Sequence, residues 1–320
     1  MPKITPPPPP EIAADLMALR ADLDETIPRK ALDRNLIIAT WNIRAFGDLT
    51  EKWKSETGDS PKRDLHALGC IAEIVSRFDV VALQEVKRNL KALRHLLKAL
   101  GPNWGLILTD VTKGDSGNGE RMAFVYDSRK VKLSGLACEL VVPREQLNRI
   151  APDALEKQFA RTPYAVSFQV NTKTFILVTL HVLYGRQPEE RTPELKAIAD
   201  WLSEWARDVN AWDHNLIALG DFNIDRKNDS RYRAFVSSGL HVPEDLCDIP
   251  RTIFSEPKFY DQIAWFSGRA GMPALSLQYL RGGIFDFAPT AMKSRDLNRA
   301  QLSWRISDHY PLWAEFSTRD

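Results

Sequence analysis

What this chain can fold into is limited most by a series of near-continuous apolar runs. "NLIIATWNI", "DVVALQEV", "WGLILTDV", "RMAFVYD", "YAVSFQV", "TFILVTLHV", "NLIALGDFN" and "YDQIAWF" follow one another along the sequence. A strand with one wet face alternates apolar and polar residues, whereas a run that is apolar throughout is covered on both faces. Helical patterns lie between the runs, at 65–77, 90–100 and 193–210. A last apolar stretch, "LWAEF", follows "ISDHYP", where Pro311 suits the first residue of a strand. The pattern predicts sheets covered by helices, an α/β (α+β) chain.

At 320 residues the chain makes one large domain or two ordinary ones, and 44% hydrophobic residues suffice for a sizeable core. The formal charge of +1 gives no global signal for nucleic acid, so any such binding must come from a local patch. Cys70, Cys138 and Cys247 are few and far apart, and make neither a disulfide framework nor a zinc site. They read as idle thiols in a reducing compartment. With no membrane-spanning run and no apolar segment behind the N-terminus, the expectation is a cytoplasmic protein without membrane contact. "TPPPPP" at 5–10 is a stiff polyproline stretch. A solvated arm is a simpler account of it than a ligand for an SH3-type protein partner. Ile12, Leu16, Leu19, Leu23 and Ile27 then recur on one helical stripe, and Pro28 ends it. This helix is expected to pack on the main body or on a partner.

The informative feature is where the polar residues fall. Asn42 ends "LIIATWN", Glu85 ends "VVALQE", His181 ends "FILVTLH", and Asp221 and Asn223 end "LIALGDFN". Asp261 interrupts "FYDQIAWF", and Asp308 and His309 precede the last strand. Any one of these is explained by a strand reaching solvent. Charged groups at the ends of so many apolar strands are costly to bury unless paired or metal-bound, and sheets bring strand ends together. A shared cleft is the economical explanation. Asn42, Glu85, Asp221, Asn223 and Asp308 offer hard oxygen ligands suited to Mg²⁺, with Mn²⁺ or Ca²⁺ as alternatives. No HExxH, cysteine pair or P-loop competes; "GDSGNG" at 114–119 lacks the lysine and reads as a flexible loop. Two histidines among oxygen ligands suit acid-base work on a phosphoester, one activating water and the other protonating a leaving oxygen.

With these segments in place, the chain resembles the endonuclease/exonuclease/phosphatase superfamily, and within it the deoxyribonuclease I branch. The likeness is carried by "WNIRAFG", "IVSRFDVVALQEV", "ERMAFVYD", "FARTPYAVSF", "TLHV", "ALGDFN", "YDQI", "IFDF" and "ISDHYP", in that order. It implies a four-layer αββα sandwich of two mixed sheets packed face to face, with residues 1–30 as a Pro-rich arm and helix and 31–320 as the catalytic domain. It also implies roles. Glu85 would be the main metal ligand with Asn42 beside it and Asp308 near by. Asp221 and Asn223 would hold the phosphate or a second metal. His309 would pair with Asp261 and His181 with Glu120, and Arg161 would face the phosphate. A carboxylate on one imidazole nitrogen fixes the tautomer and favours the charged ring. Which histidine is acid and which is base stays open.

The substrate is less constrained, because fold does not choose among phosphoesters. "TLHV" carries a histidine where abasic endonucleases show a proline-asparagine motif. Lys87, Lys91, Arg94 and Lys98 are spaced as one helical face, opposite Leu90, Leu93, Leu97 and Leu100. The far end reads as a solvated face, but Lys87 and Arg88 directly follow Glu85 and could reach phosphates flanking the cut. The groove tyrosine of the deoxyribonuclease I branch should fall near Asn118, and none is there. Three readings result. The first is an intracellular metal-dependent nuclease acting on DNA. The second is a phosphatase or phosphodiesterase of a small phosphorylated metabolite or lipid headgroup. The third, a silent binding module recruiting partners through the arm, has no physical need for the buried charges.

Overall fold

The computed structural model describes residues 6–112, 119–141, 161–182, 191–208, 215–255, 258–268 and 271–319. Helix α1 (Pro10–Thr26) leads into β1 (Asn35–Phe46), α2 (Leu65–Val75), β2 (Val80–Lys87), α3 (Lys91–Leu100), β3 (Trp104–Leu108) and β4 (Glu120–Asp127). Then come β5 (Lys132–Glu139), β6 (Tyr164–Val170), β7 (Lys173–His181), α4 (Arg191–Arg207), β8 (Leu216–Asp221) and α5 (Ser230–Val236). The chain closes with β9 (Leu240–His241), β10 (Asp261–Phe266), β11 (Gln278–Ile284), α6 (Arg299–Ser303) and β12 (Leu312–Ser317).

Among the described residues the strands form two six-stranded sheets, ordered β11-β12-β1-β2-β4-β3 and β5-β6-β7-β8-β10-β9. Each is built around one parallel pair, β1 with β2 and β7 with β8, flanked by antiparallel neighbours. This is the sandwich of two mixed sheets that the resemblance implied. The near-continuous apolar runs follow from it. On β1, Leu36 and Ile38 join the core between the sheets, while Ile37, Ala39 and Trp41 join the core beneath the helices. Successive side chains point to opposite faces, so a strand covered on both sides needs apolar residues at every position.

Helix α1 packs on the main body. Ile12, Leu16, Leu19 and Leu23 are buried in one cluster with Leu68 and Ile71 of α2 and Ile37 of β1. Burial of side chains of this size typically stabilises by about 1.5–3 kcal/mol each. Asp15 of α1 accepts a hydrogen bond from the Ser294 backbone N–H (2.9 Å), and Arg20 pairs with Glu73 of α2 (2.6 Å). Helix α2 starts at an Asp64 cap, whose carboxylate accepts from the Ala67 N–H (3.0 Å).

Two expectations shift. Helix α3 begins at Lys91, so Lys87 is the last residue of β2 and not part of a helical basic face; the helix buries Ala92, Leu93 and Leu96. Helix α4 runs Arg191–Arg207, and positions 209–210 of the expected 193–210 lie outside the described residues. So do position 5 of the polyproline stretch, positions 114–118 of the expected glycine-rich loop, and position 118, where a groove tyrosine was sought. Strands β5, β9 and β11 were not anticipated. β5 and β9 are edge strands of one sheet and β11 of the other. β5 and β11 are half-exposed and lack an apolar run, and β9 is two residues long. Cys70, Cys138 and Cys247 are all free thiols. Among the described residues, no helix is long and apolar enough to cross a membrane.

Candidate active site

The two parallel pairs end at the same edge of the sandwich. In the second sheet His181 is the register partner of Asp221 across β7 and β8, and Asp221 is the partner of Asp261 across β8 and β10. Register partners carry their side chains on one face, so three ionisable groups share a single rung. Gly220 lets the rung close. Its φ of 143° is one that L side chains rarely adopt, and a Cβ there would lie 2.0 Å from the Leu180 carbonyl oxygen.

The first sheet contributes through a break in its pleat. Thr40 and Asn42 share parity with the inward Leu36 and Ile38, so the face between the sheets turns polar towards this edge. Gln84 Nε2 donates to Thr40 Oγ1 (3.1 Å) and across the sandwich to Thr179 Oγ1 (3.0 Å). By parity Glu85 should point away with Leu83, into the helix-covered core. It does not, because β1 and β2 both carry an irregularity between Asn42/Phe46 and Leu83/Val86. Glu85 sits in that bulge with a left-handed φ of 58°, and Ala45 opposite has φ 47°. Strained backbone of this kind costs of order 1–3 kcal/mol and persists only where the surroundings enforce it. The result is that Glu85 Oε1 receives a hydrogen bond from Asn42 Nδ2 (3.2 Å) and Oε2 one from the Ala45 N–H (2.8 Å). Asn42 Nδ2 also donates to Asp221 Oδ2 (3.0 Å), which ties the two sheets together at the cleft.

Both histidines have carboxylate partners. His309 Nδ1 lies 2.7 Å from Asp261 Oδ2, and both residues are buried. Burial opposes charge on this ring, but Asp261, with Asp221 and Asp308 behind it, pushes the imidazole up to about 10. His181 Nδ1 stands 3.2 Å from Glu120 Oε2, and its Nε2 stands 3.8 Å from Asp221 Oδ2. Asp221 is fully enclosed, which alone would raise it. The charges of His309 and His181, with the hydrogen bonds from Asn42 and from the Asn223 N–H, hold it below the usual carboxylate range.

Among the described residues Glu120 faces Lys87, Arg161 and His181. Its Oε1 accepts from Lys87 Nζ (2.7 Å), and its Oε2 faces Arg161 Nε (2.7 Å) as well as His181. Burial favours the neutral acid, yet His181, Arg161 and Lys87 together bring Glu120 down to about 2. Lys87, which was expected to reach phosphates flanking the cut, is bonded to Glu120 with its side chain 27% exposed. Arg88 is exposed. Arg161 also donates from Nη1 to the His181 carbonyl (3.4 Å). Asn223 has a left-handed φ of 50°, and its Nδ2 donates to the Val182 carbonyl (2.6 Å), which closes the end of β8 onto β7. Asp308 stays at the rim, its carboxylate 28% exposed and 3.8 Å from Arg44 Nη1.

Several supporting residues were not anticipated. Ser307 Oγ donates to the Asn42 carbonyl (2.6 Å) and accepts from the His309 N–H (3.1 Å), linking the two halves of the site through one hydroxyl. Trp41 Nε1 donates to the His309 carbonyl (2.8 Å), and the Tyr260 ring stacks on the His309 imidazole with centroids 5.7 Å apart. Arg251 is wholly buried and donates from Nε to the Asp261 carbonyl (2.8 Å). Arg63, also buried, bridges the carbonyls of Arg44 and Ala45 to those of Arg305 and Ile306. Ser307 and Tyr260 lay inside motifs singled out from the sequence; the two arginines carried no local signal.

The donor set fits a hard divalent cation. Asn42 Oδ1 is buried with no hydrogen-bond partner, beside the Glu85 carboxylate. An orphaned acceptor of this kind normally costs about 1–3 kcal/mol, and a cation shared with Glu85 would satisfy it. Among the described residues, no group of three or more His, Cys, Asp or Glu side chains could hold a metal ion.

A family model described as the Endonuclease/Exonuclease/phosphatase family matches residues 39–309. A deoxyribonuclease from Thioalkalivibrio sp. (strain K90mix) is 27% identical over 211 residues, 63% of this chain and 50% of that protein. Bovine (Bos taurus) deoxyribonuclease-1 is 28% identical over 298 residues, 88% of this chain and 92% of that protein. The chain spans about half the length of the first of these relatives. Among solved structures, a mannosyl-6-phosphatase from Bacteroides thetaiotaomicron superposes with a TM-score of 0.55 at 20% identity, covering 88% of this chain and 99% of that one.

Proposed function

Because this chain belongs to the endonuclease/exonuclease/phosphatase family, whose members hydrolyse phosphoester bonds, we propose that it is a divalent-metal-dependent endonuclease that cleaves DNA. One observation carries the reading. Asp221 stands between an oxygen-donor pair, Asn42 with Glu85, and the His181 and His309 imidazoles, each backed by its own carboxylate. Two acid-base groups and a hard-oxygen site facing one acid suit attack of water on a phosphodiester. The curated deoxyribonuclease relatives support DNA as the substrate.

Glu85 and Asn42 would hold Mg²⁺, or Mn²⁺ or Ca²⁺ in its place, and the cation would supply charge neutralisation at the phosphate oxygens. The residues of the chain do the rest. Asp261 and Glu120 fix the ring orientation of His309 and His181, so that the opposite nitrogen of each faces the cleft. One imidazole takes a proton from the attacking water, and the other gives one to the leaving oxygen. Asn42 joins the two sheets so that both histidines are set against one phosphate. Arg161, held by Glu120, places a guanidinium beside His181, where negative charge on the phosphate develops.

A second reading, a phosphatase or phosphodiesterase of a small phosphorylated metabolite or lipid headgroup, draws on Lys87, which is tied up by Glu120. One assay separates them. Protein with Mg²⁺ or Mn²⁺ is offered supercoiled plasmid, single-stranded DNA, RNA, an abasic duplex and an aryl phosphodiester. Cleavage of DNA far above the aryl ester supports the nuclease; turnover of the small ester alone moves the reading to the phosphatase.

A further inference from the structure

The rim of the cleft on the Glu85 side carries an aromatic side chain that the proposed mechanism leaves unused. Trp304 is 54% exposed, in a chain whose other large aromatics are mostly buried. It is nevertheless held in place. It caps the C-terminus of α6, whose N-terminus is closed by a reciprocal capping box between Asn298 and Gln301. The Arg44 guanidinium lies over the Trp304 ring, 3.7 Å from its centroid, and also donates to Ser303 Oγ (2.9 Å). Arg44 is in turn fixed at its backbone, where its N–H reaches Ser307 Oγ (3.3 Å) and its carbonyl accepts from Arg63 (2.6 Å). The platform therefore sits two residues beyond Asn42 on one strand and four residues before Asp308 on the other approach. The Asp308 carboxylate is 3.8 Å from the same Arg44.

An indole with a cation over one face and about half of its surface open to solvent is a ready surface for a second flat π-system. Bases of any sequence stack on such rings, and stacking needs the base to be unpaired. We propose that Trp304, braced by Arg44, is a stacking platform for an unpaired nucleobase flanking the scissile phosphate. The chain would then favour nucleic acid that is single-stranded or splayed open on that side of the cut. A continuous duplex keeps its bases stacked on one another and offers no free face. This inference rests on the nuclease reading above and narrows it from nucleic acid in general to a strand with an exposed base. Trp304 acts on binding and selectivity, not on bond cleavage, so its signature belongs in KM.

The test uses the full chain and a set of single-stranded DNA oligonucleotides cut at one mapped bond. In each, a different position near that bond carries a base-free sugar. The wild type should lose about tenfold in kcat/KM, mainly through KM, when the base is missing at one particular flanking position. Trp304→Ala should bind the fully based strand about tenfold more weakly and show no penalty at that position, and Trp304→Phe should keep most of the wild-type pattern. The wild-type series alone is decisive should the alanine variant fold poorly. Indifference of the wild type to base removal at every position overturns the platform, as does an unchanged penalty in a folded Trp304→Ala. An equal loss by Trp304→Ala on a small sugar phosphate, which has no base, also overturns it. Failure of the wild type to cut any nucleic acid removes the nuclease reading itself, an outcome distinct from cutting without base preference.

Discussion

Glu120 and His181 meet across the sandwich. Glu120 opens β4 of one sheet, His181 closes β7 of the other, and Oε2 of the first stands 3.2 Å from Nδ1 of the second. With Lys87 and Arg161 on the same carboxylate, this pairing is both a part of the site and a clamp between the sheets. Its behaviour under acid follows from its charge. Glu120 is depressed from 4.5 to about 2 by His181, Arg161 and Lys87 acting against burial. A lowered carboxylate contributes stability that is fully present above its unfolded value and is lost as pH falls through its folded value.

Thermal stability should therefore decline between about pH 4.5 and pH 2, with Glu120 as one cause. Glu120→Gln should be less stable at neutral pH and show a flatter acid limb in melts taken across that window. An acid limb identical to the wild type would remove Glu120 from the account of acid stability.

His181→Ala and His309→Ala should each reduce hydrolysis by about 10²–10⁴-fold, the usual worth of a positioned acid or base. If both serve one step, as proposed, the double variant should be little worse than the poorer single. Steady-state rates on one DNA substrate check this; full activity in either single variant excludes that residue from the mechanism.

Lys87 and Arg88 should part company. Lys87 is bonded to buried Glu120, whereas Arg88 is exposed. Lys87→Ala should lower turnover of long DNA and of a small aryl phosphodiester alike. Arg88→Ala should spare the small ester and weaken DNA binding. It should also reduce the log-log salt slope by roughly 0.9, the share of a single duplex phosphate that the guanidinium would neutralise. A Lys87→Ala effect confined to DNA would instead place that ammonium on flanking phosphates.

Gly220→Ala should destabilise the fold by about 2–4 kcal/mol, since the added Cβ would lie 2.0 Å from the Leu180 carbonyl oxygen at a φ of 143°. Denaturant unfolding measures this directly, and a midpoint equal to the wild type would show that β7 and β8 can part at the His181–Asp221 rung without cost.

How far the sequence reached is clear from particular residues. Asn42, His181, Asp221 and Asp261 could be read because each is a polar residue at the end of an apolar strand, and strand ends of a sheet share an edge. Their partners could be named only through the family resemblance, since Asp261 and His309 lie 48 residues apart in sequence. The orientation of Glu85 could not be read at all. Strict alternation would put it with Leu83 under the helices, and only the bulge with its left-handed φ of 58° turns it back. Lys87 looked like the start of a basic helical face because spacing does not reveal a partner 33 residues away. Arg251 and Arg63 escaped notice for another reason: they are satisfied by backbone carbonyls, which every sequence offers equally. The half-exposed edge strands β5 and β11 were missed because a strand with one wet face and no apolar run looks like a loop.

On the proposed mechanism, Glu85 and the cation it would share with Asn42 are needed to hydrolyse a phosphodiester in DNA. The most direct measurement is nicking of supercoiled plasmid by the wild type in EDTA, then after return of Mg²⁺ or Mn²⁺, beside Glu85→Gln under the same conditions. The expected result is no nicking in EDTA, full recovery with the metal, and activity lower by orders of magnitude in Glu85→Gln at every metal concentration. Near-normal nicking in EDTA, or by Glu85→Gln, would contradict it.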